Sequence, residues 1–144
     1  MFLLDTNVVS ELRKARAGRA DKNVVAWAAG ASAASMFVSV VTLQELEIGV
    51  LLAERRDPSR GAVLRRWLEE QVLPAFAERI LPVDTAVARR SALLHVPDPR
   101  PVRDSLIAAT GLVHGMSVVT RNVADFAPMG VESIDPWQAA ADRT

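Results

Sequence analysis

Four places far apart in this chain carry carboxyl or amide side chains where the backbone changes direction: Asp5, Glu45, Asp104, and the stretch from Asn122 to Asp125. Each has an ordinary local job open to it. Asp5-Thr6-Asn7 is built from residues favoured at a helix N-cap, and Thr42-Leu43-Gln44-Glu45 has the spacing of a capping box. Asp104 puts an anion at the positive end of a helix dipole, and Asp125 suits the cap of a short turn before Phe126. Gathered at one edge of a fold, the same groups do different chemistry. Carboxylates in one crevice repel and raise one another's pKa unless a hard cation neutralises them. The chain has no cysteine, so such a cation must be held by oxygen or histidine. His95 and His114 have no zinc-like spacing and fall where helices should end, complementing the dipole there. Magnesium or manganese is then the natural occupant. Either ion lowers the pKa of a bound water and holds a phosphate, which suits hydrolysis of a phosphodiester.

Whether the acids meet depends on the elements that carry them. Phe2-Leu3-Leu4 reads as a short strand buried on both faces, the kind found in a parallel sheet covered by helices, and it runs straight into Asp5. In such sheets the carboxyl ends of the strands form the ligand crevice. Met36 to Val41 reads as a second strand ending in the polar turn at Thr42. The helix after it, marked by Leu43, Leu46, Val50 and Leu51, delivers Glu45 to the same edge and aims Glu47 elsewhere. Ser117 to Thr120 is a further apolar strand and leads into Arg121, Asn122 and Asp125. Asp104 opens a helix that contains Leu106, Ile107, Leu112 and Val113. The remaining elements are helices at Val8 to Arg13, Asp21 to Ala29 and Ala86 to Leu94, and brief strands at Ile80 to Val83 and Val131 to Ile134. Leu64, Trp67, Leu68, Val72 and Phe76 mark a long amphipathic helix that Pro74 should interrupt by opening a second short helix. A charged turn is expected around Pro58 and a loop over Asp98 to Pro101.

Composition limits the alternatives. A length of 144 residues, half of them apolar and a quarter charged, fits one globular α/β domain spanning residues 1–144. No basic-then-apolar leader opens the chain and no apolar run spans a bilayer, so the expectation is a soluble, cytoplasmic protein that does not enter a membrane. Lys plus Arg and Asp plus Glu are both 17. With no overall basic excess, attraction to a polyanion must be local. Arg100, Arg103 and Arg121 flank the acids in sequence and are the candidates for it, although each reads equally well as a solvated surface charge. Of the 17 cations only Lys14 and Lys22 are lysine, and arginine is the better phosphate fork.

Taken together, FLLDTNVVSEL, VSVVTLQELEIGV, RDSLIAATGLVHG and VVTRNVADF followed by IDPW resemble the PIN-domain ribonucleases of the VapC toxin type. DTN alone is a weak motif, but four segments in the right order and spacing are specific, and the resemblance spans nearly the whole chain. It implies a small parallel sheet sandwiched by helices and a Mg2+- or Mn2+-dependent endoribonuclease acting on RNA. It also implies a cognate antitoxin, whose C-terminal segment covers the active site, and a homodimer. By position, Asp5, Glu45 and Asp104 match the three family acids, as catalytic and metal-ligating residues. The fourth position commonly carries Asp and is Asn122 here, with Asp125 three residues later as a second auxiliary candidate. That departure points to one tightly held ion between Asp5 and Asp104, because Asn brings an oxygen but no charge.

Two other enzyme-like classes fit less well. A phosphoacceptor receiver domain needs a second acid beside the first and a late lysine, and an aspartyl phosphatase needs an acid at position 7, where this chain has Asn7. The serious rival is a PIN fold that binds RNA or a protein partner without cutting.

Overall fold

A computed structural model of the chain describes residues 1–143. Its frame is a five-stranded sheet of order β3-β2-β1-β4-β5, made of β1 (Phe2–Leu4), β2 (Met36–Ser39), β3 (Ile80–Leu81), β4 (Ser117–Val119) and β5 (Ser133–Ile134). Every pairing is parallel, with Leu3 opposite Phe37 on one side and Val118 on the other. All carboxyl ends therefore emerge at one edge, and the strand that ends in Asp5 is central. The helices are α1 (Thr6–Leu12), α2 (Lys22–Ala29), α3 (Val40–Arg56), α4 (Pro58–Trp67), α5 (Leu73–Ala75), α6 (Thr85–Leu94), α7 (Val102–His114) and α8 (Val123–Phe126).

Side chains alternate across a strand, and the sheet accordingly buries two cores. Leu4, Met36, Val38 and Val119 face Val8 and Val9 of α1, Leu46 and Val50 of α3, and Leu68 and Val72 beyond α4. Leu3 and Val118 face Ile107 and Ala108 of α7, with Val41, Phe126, Met129 and Val131 around them. Leu3, Leu4, Val118 and Val119 are completely buried, as expected of short apolar strands covered on both faces. The α/β sandwich anticipated from the apolar runs is the fold observed.

Three boundaries differ from the sequence expectation. The second strand stops at Ser39 rather than Val41, because the Ser39 hydroxyl accepts a hydrogen bond from Val41 N (3.0 Å) and starts α3 there. Thr42 is thus inside the helix and fully buried, so the Thr42–Glu45 capping box does not form. The turn near Pro58 shrinks to Asp57, which ends α3 and caps α4 with Pro58 in its first turn. The third lies in the long amphipathic stretch, where Pro74 opens a short helix as the sequence predicts but the α-helical geometry already changes before it. A π-helical segment, Leu68–Val72, comes first, and Pro74 falls in the first turn of α5, where its missing N–H costs nothing.

The α3–α4 hairpin is closely packed. A Cβ at Gly61 would lie 2.4 Å from Glu54 Cα. Arg65 clamps the pair through Glu47 (2.6 Å) and Glu54 (3.0 Å), which accounts for Glu47 pointing away from the sheet edge.

Candidate active site

Asp5 leaves β1 in an extended conformation and caps α1, its Oδ1 accepting from Thr6 N at 2.8 Å. The cap is therefore real, and only one carboxylate oxygen is committed to it. The other, Oδ2, accepts from the buried Thr120 hydroxyl at 2.8 Å. Thr120 is the residue after β4, so the neighbouring strand end orients the acid. The Thr120 hydroxyl in turn accepts from Asn122 N (3.0 Å), and Arg121 N donates to Asn7 Oδ1 (3.3 Å). Two adjoining strand ends are laced together around one carboxylate.

Glu45, freed from the capping box, takes a hydrogen bond on Oε1 from the Thr6 hydroxyl (3.0 Å). Its Oε2 lies 3.8 Å from Arg103 Nη1. The first turn of α1 thus bridges Asp5, through the Thr6 amide, and Glu45, through the Thr6 hydroxyl. Asp104 comes from the other core, in the first turn of α7 and half-buried. It is not a cap: Pro101 occupies the N-cap position, without a side-chain bond.

The electrostatics place all these groups in one field. Burial is the main cause raising the Asp5 pKa, offset by the bonds from Thr120 and Thr6, and the charge of Asp125 adds to the rise. Asp104 is also raised, first by burial and then by the charges of Asp5, Asp125 and Glu45. Asp125 sits in the first turn of α8, exposed, and its charge reaches both acids. Asn122 is exposed at the N-cap of α8 and makes no side-chain cap bond. Of the three arginines, Arg103 stands beside Glu45 and Arg121 lies over the Trp137 ring, 5.1 Å from its centroid. Arg100 is held back: its amide donates to His95 Nδ1 (3.1 Å), and its Nε is buried without a partner.

Among the described residues no three Asp, Glu, His or Cys side chains close into a ready-made metal cage. Magnesium retains most of its water and is typically held by one or two carboxylates together with substrate phosphates. The donors at this edge are all oxygen, and they repel one another with little cationic compensation, so the residues present fit a hard cation.

Sequence reasoning overlooked Thr6 and Thr120 as the groups that fix the acids. The available signal was a polar residue immediately after two adjacent apolar strands, the same signal that singled out Asp5.

Comparison with known proteins follows the same line. The profile of the PIN domain matches residues 2–128. The protein named VapC ribonuclease Y4jK, from Sinorhizobium fredii, is 37% identical over 97% of this chain and 100% of its own. Toxin FitB of Neisseria gonorrhoeae is 36% identical over 95% of this chain and 99% of its own. Among solved structures, the crystal structure of FitAcB from Neisseria gonorrhoeae superposes with a TM-score of 0.87 at 34% identity, covering 96% of this chain and 99% of that one.

Proposed function

This chain belongs to the PIN-domain family, among the VapC-type ribonucleases, and from that premise we propose that it is the endoribonuclease toxin of a toxin–antitoxin pair. It hydrolyses RNA phosphodiester bonds at the edge where Asp5, Glu45 and Asp104 meet, and it depends on a divalent cation, Mg2+ or Mn2+. The observation that carries this reading is Asp104, whose carboxyl pKa is raised first by burial and then by the charges of three other acids arriving from three different elements. Acids perturbed in this way cluster at functional sites.

Asp5 and Asp104 are the residues that would hold the ion, with Glu45 completing the acidic set. A bound cation would supply a water of lowered pKa and offset the charge of the phosphate. The chain's own groups do the positioning. Thr120 and the Thr6 amide fix both oxygens of Asp5 while leaving lone pairs on each. Thr6 sets the rotamer of Glu45, and Arg103, exposed beside it, is available to a phosphate oxygen. Asn122 offers a neutral oxygen for orientation, and Asp125 supplies charge.

The cognate antitoxin is the protein partner and covers this edge, and the toxin acts as a homodimer. Induced expression of the wild-type chain should arrest growth and fragment cellular RNA, and coexpression of the small protein encoded beside it should restore growth. Asp5→Asn should be harmless. An Asp5→Asn chain as toxic as the wild type would remove catalysis from the account and favour a fold that binds without cutting.

A further inference from the structure

IDPW was singled out in the sequence, yet the acid site makes no use of its tryptophan. Residues 135–137 follow β5, which pairs in parallel with β4, and Thr120 N donates to Ile134 O at 2.9 Å. The chain leaving β5 therefore emerges at the same edge as the acids. Trp137 is fixed there at both ends of its peptide unit. Its amide donates to Asp135 Oδ1 (2.9 Å) and its carbonyl accepts from Asn23 Nδ2 (2.8 Å). The ring is half-buried against the core that contains Leu4 and Val119.

Over this ring lies the guanidinium of Arg121, with Cζ 5.1 Å from the centroid. Arg121 is exposed. It directly follows Thr120, the residue that holds Asp5, and its amide is tied to Asn7. An exposed guanidinium with Cζ 5.1 Å from the centroid of a backbone-anchored indole, one residue from the acid-orienting threonine, puts a planar cation and an aromatic ring together at the acid edge. Unpaired bases stack on arginine planes and aromatic rings, whereas bases within a duplex present no free face.

We propose that Arg121 and Trp137 form a stacking subsite for one unpaired nucleobase of the RNA, next to the scissile phosphate, so that the substrate at this point is single-stranded. The inference rests on the ribonuclease reading given above. Trp137 and Arg121 are substrate-positioning residues, and the base stacks on the guanidinium plane that the indole underpins. Stacking tolerates any base, so this contact sets strandedness rather than sequence.

The test uses the full chain carrying Asp104→Asn, to prevent cutting, and a fluorescein-labelled oligoribonucleotide of about ten nucleotides, within the span of single-strand sites. One abasic nucleotide is walked along the strand, and affinity is read by anisotropy. At one position the missing base should weaken binding about five- to a hundredfold, the range that base–aromatic stacking supports. Adding Trp137→Leu should impose the same loss on the intact strand and abolish the abasic penalty, while Trp137→Phe should retain the penalty. Arg121→Lys keeps the charge without the plane, lies at an exposed site that cannot compromise folding, and should also erase most of the penalty. The intact strand should lose affinity when annealed to its complement. An abasic penalty that survives in both Trp137→Leu and Arg121→Lys overturns the subsite, as does the absence of any sensitive position or of any binding. If wild-type protein cuts RNA while the penalty ignores these residues, only this inference falls. If it cuts nothing while the penalty depends on Trp137, only the catalytic reading falls.

Discussion

Asp104 is the acid on which most of the site's repulsion converges, its pKa raised by burial and by Asp5, Asp125 and Glu45. An acid whose folded pKa is raised binds its proton more tightly in the folded chain. It therefore has no effect on stability below the ordinary aspartate value of 3.8, lowers stability as pH climbs from there through the raised value, and keeps the full penalty above it. Asp104→Asn should accordingly be more stable than the wild type at neutral pH, by up to about 1 kcal/mol, a gain that solvent screening of this half-buried group holds down. In urea denaturation the gain should disappear as pH falls below 3.8; a gain independent of pH would mean that the repulsion is not its source. At the auxiliary position Asn122 brings no charge, so one tightly held ion is the expected outcome, and a second should bind only weakly unless phosphate oxygens assist. Calorimetric titration with Mn2+ should give one tight site in the wild type and two in Asn122→Asp. Two equal sites without the substitution would contradict this. Sequence made the acids legible because each stands at a strand end or within the first two turns of a helix. It did not reveal the hydroxyls that fix them, since Thr120 and Asp5 are 115 residues apart and no local spacing encodes that bond.

Asp104 depends on how α7 is seated, and its neighbour Ser105 does the seating. The fully buried Ser105 hydroxyl donates to Val102 O (2.7 Å) and faces Ser91 Oγ and His95 Nε2, each at 3.0 Å. His95 Nδ1 accepts from Arg100 N, so its proton is on Nε2 and points at Ser105. This network joins the end of α6 to the start of α7. Ser105→Ala leaves the buried Ser91 hydroxyl and the half-buried His95 ring without their partner, which should cost about 1–3 kcal/mol. It should also slow RNA cleavage by loosening Asp104, with the affinity of the RNA little changed; unaltered melting and cleavage would show that the network does not set the helix. The apolar runs announced the strands, and the spacing of Leu46 and Val50 announced α3. What they could not place was the start of α3, because Val40 and Val41 are β-branched and extend the apolar run. The Ser39 hydroxyl decided the boundary, and with it the release of Glu45 from a cap to the sheet edge.

For the whole molecule, equal totals of 17 cationic and 17 acidic residues leave RNA attraction to local groups. Arg103 and Arg121 stand at the acid edge, while Arg100 is partly sealed. The apolar faces of α3 and α4 are mostly absorbed by the core, but Leu51, Leu52 and Val63 remain exposed at 53%, 49% and 58%. Leu93, Val96 and Val102, near the α6–α7 connection, are also exposed, at 68%, 76% and 66%. Surfaces of this kind mark association sites, and sedimentation at micromolar concentration should show a dimer; monomer alone at high micromolar would contradict the proposed assembly. Among the described residues no helix is long and apolar enough to cross a membrane. If acids from separate elements form one cation-dependent site for cutting RNA, the cleavage rate of purified protein on single-stranded RNA must follow the concentration of Mn2+ or Mg2+. The wild type should cut only with the metal and saturate, EDTA should stop it, and Asp5→Asn or Asp104→Asn should fall about a hundredfold or more at every concentration, as expected when several kcal/mol of charge stabilisation is lost. Cleavage that persists in EDTA, or an Asp5→Asn chain that cuts at the wild-type rate, would contradict the account.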